Sequence, residues 1–278
     1  MTLSGRTKLA GVMGWPVAHS RSPRLHGYWL QHYEIDGAYV PLPVRAEAFE
    51  HGLRSLADLG FRGVNVTVPY KEAALAACDQ VEDSGHRLGA VNTIVMGDGR
   101  LRGFNSDGFG FIENLRQGAP QWQAQKAPAV VIGAGGAARA VVAALIDAAV
   151  PEIRLVNRTR ARADAVAKDL AGPVQVLDWP ERGRALSEAG LLVNATSLGM
   201  TEQPPLELHL ADLPRAALVS DIVYAPLETP LLAQARARGN VVVDGLGMLL
   251  HQARPGFEAW FGVAPEVTPE LRRFVLAD

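Results

Sequence analysis

Residues 129–138 read AVVIGAGGAA, and this stretch decides the fold class of the chain. Four apolar residues are followed directly by a G-x-G-x-x-A pattern that opens an Ala-rich helical run, which is the strand–turn–helix context of a dinucleotide-binding turn. Gly133 permits the tight turn, Gly135 lets the backbone approach a pyrophosphate, and Ala138 lets the helix pack close to the sheet. We therefore predict a dinucleotide site formed by Gly133, Ala134, Gly135, Gly136, Ala137 and Ala138. A glycine-rich turn that holds no ligand is the alternative.

The runs on both sides of this stretch place it in an α/β protein. From residue 129 on, helical runs separate strand-like runs in the rhythm of a Rossmann domain: AVVI, EIRLVN, VQVL, LLVNAT, ALVSDIVY and NVVVDG. Before it, KLAGVMG, GAYVPLPV and GVNVTV read as strands, residues 23–34 and 45–59 as helices, and Asp98-Gly99 as a hairpin turn. Residues 119–128 lack periodicity, so we place the linker near them. Residues 246–261 and 268–276 read as helices.

The end of the second strand in the later series indicates which dinucleotide is bound. An NAD site places a carboxylate there to bind the ribose 2′-hydroxyl, whereas this chain has Asn157, Arg158 and Thr159. Arg158 and Arg162 can fork around a 2′-phosphate, so we predict NADP. We assign Arg160 to a solvated helix face.

The composition excludes several classes of protein. The 278 residues carry a formal net charge of -2, which leaves no positive excess for nucleic acid or for an anionic membrane. No apolar run approaches the length of a membrane span and no signal-peptide core is visible, so we expect a cytoplasmic protein. The single cysteine, Cys78, excludes an internal disulfide, and the histidines show no ligand spacing, so we expect no metal.

Polar clusters stand at the ends of apolar runs in the first part of the chain. They read HSRSP (19–23), NVTVPYK (65–71), NT (92–93) and NSDG (105–108). Alternation along GVNVTV sends Asn65 and Thr67 to one face and the valines to the other, which suits a polyhydroxylated ring. A fifth polar run, NATSLGM (194–200), follows a strand of the later series, where Thr196, Ser197 and Met200 can lie beside the cofactor. An ordinary turn would look similar.

These motifs occur together in one known family, and the sequence resembles shikimate dehydrogenases nearly from end to end. The resemblance rests on HSRSP, NVTVPYK, GAVNT, GFNSDG, GAGGAA, NRT, NATSLGM, DIVY with ETPLL, and DGLGMLLHQ. It implies an α/β substrate domain, an NADP-binding Rossmann domain, a cleft between them, and C-terminal helices that return to the first domain. The implied limits are residues 1–107 and 245–278 for the substrate-binding catalytic domain, and 108–244 for the Rossmann domain.

The resemblance also implies a role for each matching residue. Ser20 and Ser22 would donate to the substrate carboxylate, with Tyr224 close to it. Lys71 and Asp107 would form the catalytic pair, which we treat as one coupled acid–base unit. Contacts to the ring hydroxyls are assigned to that pair and to Asn65, Thr67, Asn92 and Gln252. Beyond the glycine turn, cofactor contacts are assigned to Asn157, Arg158, Thr159, Arg162, Thr196, Ser197, Met200, Ile222, Gly245 and Met248.

The implied reaction is the reversible NADPH-dependent reduction of 3-dehydroshikimate to shikimate, in aromatic amino acid biosynthesis. We expect the protein to be a monomer or a homodimer. Ketone reduction needs a hydride donor and a proton donor, and NADPH and Lys71 can fill these roles. Two alternatives stay open: a quinate/shikimate dehydrogenase of broader specificity, and a non-catalytic NADP-binding sensor. Ser106 and Trp15 replace the family's usual Thr and Asn. The serines at 20 and 22, with Arg158, favour shikimate and NADP.

Overall fold

The structure, a computed structural model, describes residues 3–277, which form two compact units. The first unit consists of the described residues up to Ser106 together with those from Gln252 on, and the second runs from Asp107 to His251. These boundaries differ from the predicted limits, 107 and 245. The chain from 245 to 251 lies in the second unit because its helix contacts that unit, where His251 Nε2 is 3.0 Å from Gln117 Oε1.

A mixed six-stranded sheet forms the centre of the first unit. Its strands are β1 (Lys8–Gly14), β2 (Gly37–Pro43), β3 (Phe61–Val66), β4 (Gln80–Val81), β5 (Thr93–Gly97) and β6 (Arg100–Phe104). They lie in the order β2-β1-β3-β5-β6-β4. Strand β1 is parallel to β2 and β3, β5 is antiparallel to β3 and β6, and β4 is parallel to β6. The predicted hairpin is confirmed: Asp98 and Gly99 both have positive φ between β5 and β6.

The second unit has a six-stranded sheet that is parallel throughout. Its strands are β7 (Ala129–Ile132), β8 (Ile153–Val156), β9 (Val174–Leu177), β10 (Leu191–Asn194), β11 (Leu218–Asp221) and β12 (Val241–Val243). They lie in the order β12-β11-β10-β7-β8-β9. This is the Rossmann order, in which the direction of winding switches between β7 and β10, and ligands bind outside the carboxyl ends of the strands at that switch.

Helices cover both sheets. In the first unit they are α1 (Ser22–His32), α2 (Phe49–Asp58), α3 (Lys71–Ala77) and α4 (Asp83–Leu88). The second unit contains α5 (Asp107–Gly118), α6 (Gly136–Asp147), α7 (Arg160–Leu170), α8 (Pro230–Ala237) and, up to His251, α9 (Leu246–Gln252). The chain then returns to the first unit as α10 (Arg254–Phe261) and α11 (Pro269–Leu276). Short 3-10 helices occupy Ala46–Ala48, Ala124–Lys126, Trp179–Arg182 and Arg184–Leu186.

Each unit has its own apolar core. In the first, Val64 and Val66 of β3 pack with Leu53 of α2 on one face of the sheet. The other face receives α10, where the Trp260 indole N–H donates to the Ile94 carbonyl at 3.0 Å. In the second unit, apolar residues of the central strands are buried with the inner face of α8, among them Ile132, Leu192, Val219, Leu231 and Leu232. The predicted return of the C-terminal helices to the first domain is confirmed for α10 and α11, whereas α9 belongs to the second unit up to His251.

Several predicted elements differ from the structure. The predicted helix over 45–59 begins as a 3-10 turn and becomes α2 only at Phe49. The predicted helix over 246–261 is divided into α9 and α10 around Ala253. Helices α3, α4 and α8, and the two-residue strand β4, were not predicted. Within residues 3–277, no helix has the length and apolar character that crossing a membrane requires.

Candidate active site

The turn between β7 and α6 has the geometry of an anion-binding turn. Gly133 has a φ of +116°, and a Cβ there would lie 2.7 Å from the Ala195 carbonyl oxygen, so this position requires glycine. In contrast, apart from the adjoining backbone, no described atom lies within 4 Å of the Cβ position at Gly135 or Gly136. Among the described residues, no side chain caps this end of α6, so the N–H groups of its first turn can bind a pyrophosphate. These residues therefore fit a dinucleotide.

The corner after β8 carries the arginines predicted to select NADP. The Asn157 amide donates to the Thr159 carbonyl at 2.9 Å and so closes the turn into α7. Arg160 pairs with Asp178 at 2.8 Å, as expected for a solvated structural residue. Arg158 and Arg162 are exposed, and neither makes an ion pair with any residue that the structure describes. Two uncommitted guanidinium groups are therefore present where a 2′-phosphate is predicted.

The loop after β10 lies beside the glycine turn. A Cβ at Gly133 would be 2.9 Å from Thr196 Cγ2, so these two predicted cofactor contacts adjoin each other. Ser197 and Met200, farther along the same loop, are exposed. The parallel pairing of β7 with β10 brings both loops to the same edge of the sheet, where the winding direction switches.

The segment after β11 supplies the remaining predicted contacts of the second unit. Ile222 and Tyr224 are half-buried beyond the end of the strand. Gly245 packs against the Ile222 backbone so closely that a side chain there would collide with it. Met248 is buried on α9. The structure therefore joins Ile222 and Gly245 directly, while the roles assigned to Tyr224 and Met248 stay predictions.

In the first unit, the HSRSP segment leads into α1. The Ser22 N–H donates to Ser20 Oγ at 3.3 Å, so the two predicted carboxylate donors lie side by side. Ser20 is half-buried and Ser22 is buried. The Arg21 guanidinium between them donates to the Val275 carbonyl of α11, which ties the segment to the C-terminal helix.

A buried network of amides and hydroxyls joins the ends of β3 and β5. The Asn65 amide donates to the Asn92 carbonyl at 3.2 Å and to Thr93 Oγ1 at 3.1 Å. Asn92 Oδ1 accepts from the Thr93 hydroxyl at 2.8 Å and from the Ser106 N–H at 3.0 Å. Asn92 Nδ2 donates to Gln252 Oε1 at 3.3 Å. The network thus brings together three predicted substrate residues, Asn65, Asn92 and Gln252.

Tyr39 and His26 support this network, and neither was predicted from the sequence. The Tyr39 hydroxyl donates to Asn65 Oδ1 at 2.7 Å, and the Ser22 side chain lies close to it. Burial raises the pKa of Tyr39 well above its usual value, against the opposing effect of Ser22, so the phenol keeps its proton. Its ring stacks on His26 with centroids 3.9 Å apart. One signal was visible in the sequence, because His26 follows Ser22 by four residues and shares its helix face.

The two predicted catalytic residues each begin a helix. Lys71 is the first residue of α3 in the first unit and is half-buried. Asp107 is the first residue of α5 in the second unit and is 8% exposed. Thr67, which follows β3, accepts the Tyr70 N–H at 3.0 Å and so forms the turn that leads to Lys71. The catalytic roles of Lys71 and Asp107 stay predictions.

Comparison with known proteins identifies the family. A model described as the shikimate dehydrogenase substrate binding domain matches residues 12–94, and a model of shikimate / quinate 5-dehydrogenase matches residues 116–203. The shikimate dehydrogenase (NADP(+)) of Paramagnetospirillum magneticum is 61% identical to this chain over 276 residues, which cover 99% of the chain and 100% of that protein.

Solved structures agree with this result. Quinate dehydrogenase from Corynebacterium glutamicum in complex with NAD superposes with a TM-score of 0.91 at 32% identity, covering 97% of this chain and 99% of that one. Shikimate 5-dehydrogenase from Thermus thermophilus in complex with NADP(H) and shikimate superposes with a TM-score of 0.86 at 38% identity, covering 97% of this chain and 98% of that one. The predicted α/β fold and the predicted NADP-dependent oxidoreductase are confirmed. By sequence and by fold, this chain belongs to the shikimate dehydrogenase family.

Proposed function

We propose that this chain catalyses the reversible NADPH-dependent reduction of 3-dehydroshikimate to shikimate, a step in aromatic amino acid biosynthesis. The proposal rests on two features that occur in one chain. The first is the uncapped N-terminus of α6, with arginines nearby that form no ion pair with described residues. The second is the buried network of neutral amides and hydroxyls. The first suits the pyrophosphate and 2′-phosphate of NADP. The second suits a ring that carries several hydroxyl groups.

Substrate recognition is assigned to neutral donors and acceptors of the first unit. The Ser20 and Ser22 hydroxyls are proposed to donate to the carboxylate, because they are adjacent and lie at the start of α1. Thr67, Asn92 and Gln252 are proposed to bind the ring hydroxyls. Asn65 is proposed to do the same, although Tyr39 and Thr93 already occupy part of its amide. The role of Tyr224, in the second unit, stays a prediction.

The reaction requires a hydride and a proton at the ring carbonyl. NADPH, when bound, supplies the hydride to the carbonyl carbon. We assign the proton to the Lys71 ammonium, which would donate it to the developing alkoxide as the C–O double bond becomes single. In the reverse direction the Lys71 amine would accept the hydroxyl proton. Asp107 is proposed to act with Lys71 as a coupled unit, so that the pair rather than either residue sets the pH dependence.

Shikimate is favoured over quinate as the substrate. The relative named as a shikimate dehydrogenase is 61% identical to this chain, whereas the quinate dehydrogenase neighbour is 32% identical and its structure holds NAD. Arg158 and Arg162 support NADP over NAD, because an NAD site would place a carboxylate at this corner.

An assay of nicotinamide absorbance tests the proposal directly. NADP reduction is measured with shikimate and with quinate, and each is repeated with NAD. We expect the highest kcat/KM for shikimate with NADP. Comparable values for both acids would instead identify an enzyme of broader specificity, and NADP binding without turnover would identify a sensor.

Two further properties stay predictions of the sequence. They are a cytoplasmic location and a monomeric or homodimeric state. Analytical ultracentrifugation of the purified chain would determine the second.

A further inference from the structure

The Asp221 carboxylate at the C-terminal end of β11 is fully buried. Three groups donate to its two oxygens. Asn194 Nδ2 lies 3.0 and 3.1 Å from Oδ1 and Oδ2, the Val223 N–H donates to Oδ1 at 3.0 Å, and the Thr229 hydroxyl donates to Oδ2 at 2.7 Å. None of the roles proposed above uses this carboxylate.

The bond to Asn194 extends the influence of Asp221 to the loop after β10. Asn194 Nδ2 donates to Asp221 and also to the Leu198 carbonyl of the loop at 3.0 Å, while Asn194 Oδ1 accepts the Thr196 N–H at 3.1 Å and the Thr196 hydroxyl at 2.7 Å. Asp221, which can only accept, therefore fixes which end of the amide carries the donor. Thr196 Oγ1 in turn accepts the Leu198 N–H at 3.0 Å. A continuous chain of hydrogen bonds therefore runs from the buried carboxylate to residues 196–198.

At position 221, a carboxylate would be unfavourable if its only role were packing. Burial disfavours the ionised form and raises the pKa of Asp221, against the opposing hydrogen bonds from Asn194, Val223 and Thr229. What the carboxylate offers is two acceptor oxygens and no donor, at a point where only donors converge. An asparagine would present one acceptor oxygen and an NH₂ group that must face one of those donors.

We propose that Asp221 is a positioning residue for cofactor binding, which through the Asn194 amide holds the loop 196–200 in the conformation that binds NADP. Asp221 itself need not touch the cofactor. The inference rests on the proposed function in one respect, namely that this loop contacts NADP.

The test compares Asp221→Asn with a matched variant at the opposite edge of the same sheet. Asn240 is also a buried polar residue of the second unit, and its amide donates to the carbonyls of Pro214, Arg215 and Ala217 ahead of β11. Asn240→Ala should therefore destabilise the same unit without altering the loop after β10. Dissociation constants for NADP⁺ and for shikimate are measured separately by isothermal titration calorimetry, together with Tm.

We expect Asp221→Asn to raise the Kd of NADP⁺ about tenfold, consistent with one lost hydrogen bond to a buried group. The Kd of shikimate should stay within about twofold of the wild type, as should both constants in Asn240→Ala. Asn194→Ala should have an effect similar to that of Asp221→Asn, and the double variant should add little, because the two residues act as one unit.

Three outcomes would overturn the inference. They are an unchanged NADP⁺ affinity in folded Asp221→Asn, an equal loss of affinity in Asn240→Ala, and additive losses in the double variant. Failure of the wild type to bind NADP⁺ would instead contradict the proposed function. If Asp221→Asn does not fold, Thr229→Val removes one donor to the carboxylate while Thr229→Ser keeps it, and only the first should weaken NADP⁺ binding.

Discussion

Lys71 is the residue on which the proposed proton transfer depends. Lys71→Ala should lower kcat by roughly two to four powers of ten, because the developing alkoxide loses its proton donor. The Kd of NADP⁺ should stay unchanged, since Lys71 lies in the first unit and the predicted NADP contacts lie in the second. Lys168→Ala, which removes an exposed lysine of α7, is the control. Turnover in Lys71→Ala equal to that of the control would remove Lys71 from the mechanism.

Arg158 is the residue that should distinguish NADP from NAD. Arg158→Ala should weaken NADP⁺ binding about 10- to 100-fold, because charge-assisted hydrogen bonds to the 2′-phosphate are lost, and should leave NAD⁺ binding nearly unchanged. Arg160→Ala is a close control, since Arg160 lies two residues away and is already paired with Asp178. Equal losses for both cofactors in Arg158→Ala, measured by calorimetry, would contradict the assignment.

The predicted site residues could be identified from the sequence, whereas most of their hydrogen-bond partners could not. Asn65 and Thr67 could be found because strand alternation assigns them to one face. The contact between Tyr39 and Asn65 joins residues that are 26 positions apart, and no local pattern encodes such a pairing. Asp221 could not be predicted for a similar reason, because its partners lie in other elements: Asn194 ends β10, and Thr229 is the N-cap of α8.

Helices and strands were predicted correctly where each shows a clear pattern of apolar residues in the sequence. The strands of the second unit are short apolar runs, and burial on both faces of a parallel sheet explains why. Helices α3 and α4 have only 7 and 6 residues, too few for a helical period to appear. Helix α8 was not predicted, although Thr229 as its N-cap and Pro230 after it form a recognisable start signal.

In the turn before α6, two substitutions should separate an effect on protein stability from an effect on NADP⁺ binding. Gly133→Ala places a Cβ 2.7 Å from a carbonyl oxygen at a φ of +116°, and should destabilise the protein by about 1–3 kcal/mol. Gly135 has a φ of -89° and open space around its Cβ position, so Gly135→Ala should leave Tm nearly unchanged. NADP⁺ binding should nevertheless weaken about tenfold, because the methyl group stands where the pyrophosphate approaches. A Gly135→Ala variant with full NADP⁺ affinity would show that the pyrophosphate binds elsewhere.

Aromatic packing within the first unit contributes to the stability of the whole chain. The first unit contains an aromatic cluster that joins α1, β2 and α10 through His26, Trp29, Tyr39, Phe257 and Trp260. His26 lies at its centre with no solvent exposure. Among the described residues, neither of its ring nitrogens has a hydrogen-bond partner of good geometry, although the Asn65 side chain lies near enough to favour the charged form slightly. A neutral imidazole therefore serves here as an aromatic ring.

This arrangement predicts a pH-dependent stability that a single substitution should remove. Burial lowers the pKa of His26 from 6.5 to about 3 in the folded protein, so the unfolded chain binds the extra proton as pH falls below 6.5. The free energy of unfolding should therefore fall by about 1.4 kcal/mol for each pH unit between roughly 6.5 and 3, as far as this residue is concerned. Other groups titrate in the same range, so the contribution of His26 must be measured as a difference between proteins.

In urea unfolding, the wild type should lose about 2 kcal/mol more of its free energy of unfolding than His26→Phe between pH 7 and pH 5, because phenylalanine keeps the stack on Tyr39 without a proton site. His209→Gln, which removes an exposed histidine, should behave like the wild type. The same pH slope in His26→Phe and the wild type would mean that the ring is not held neutral by burial.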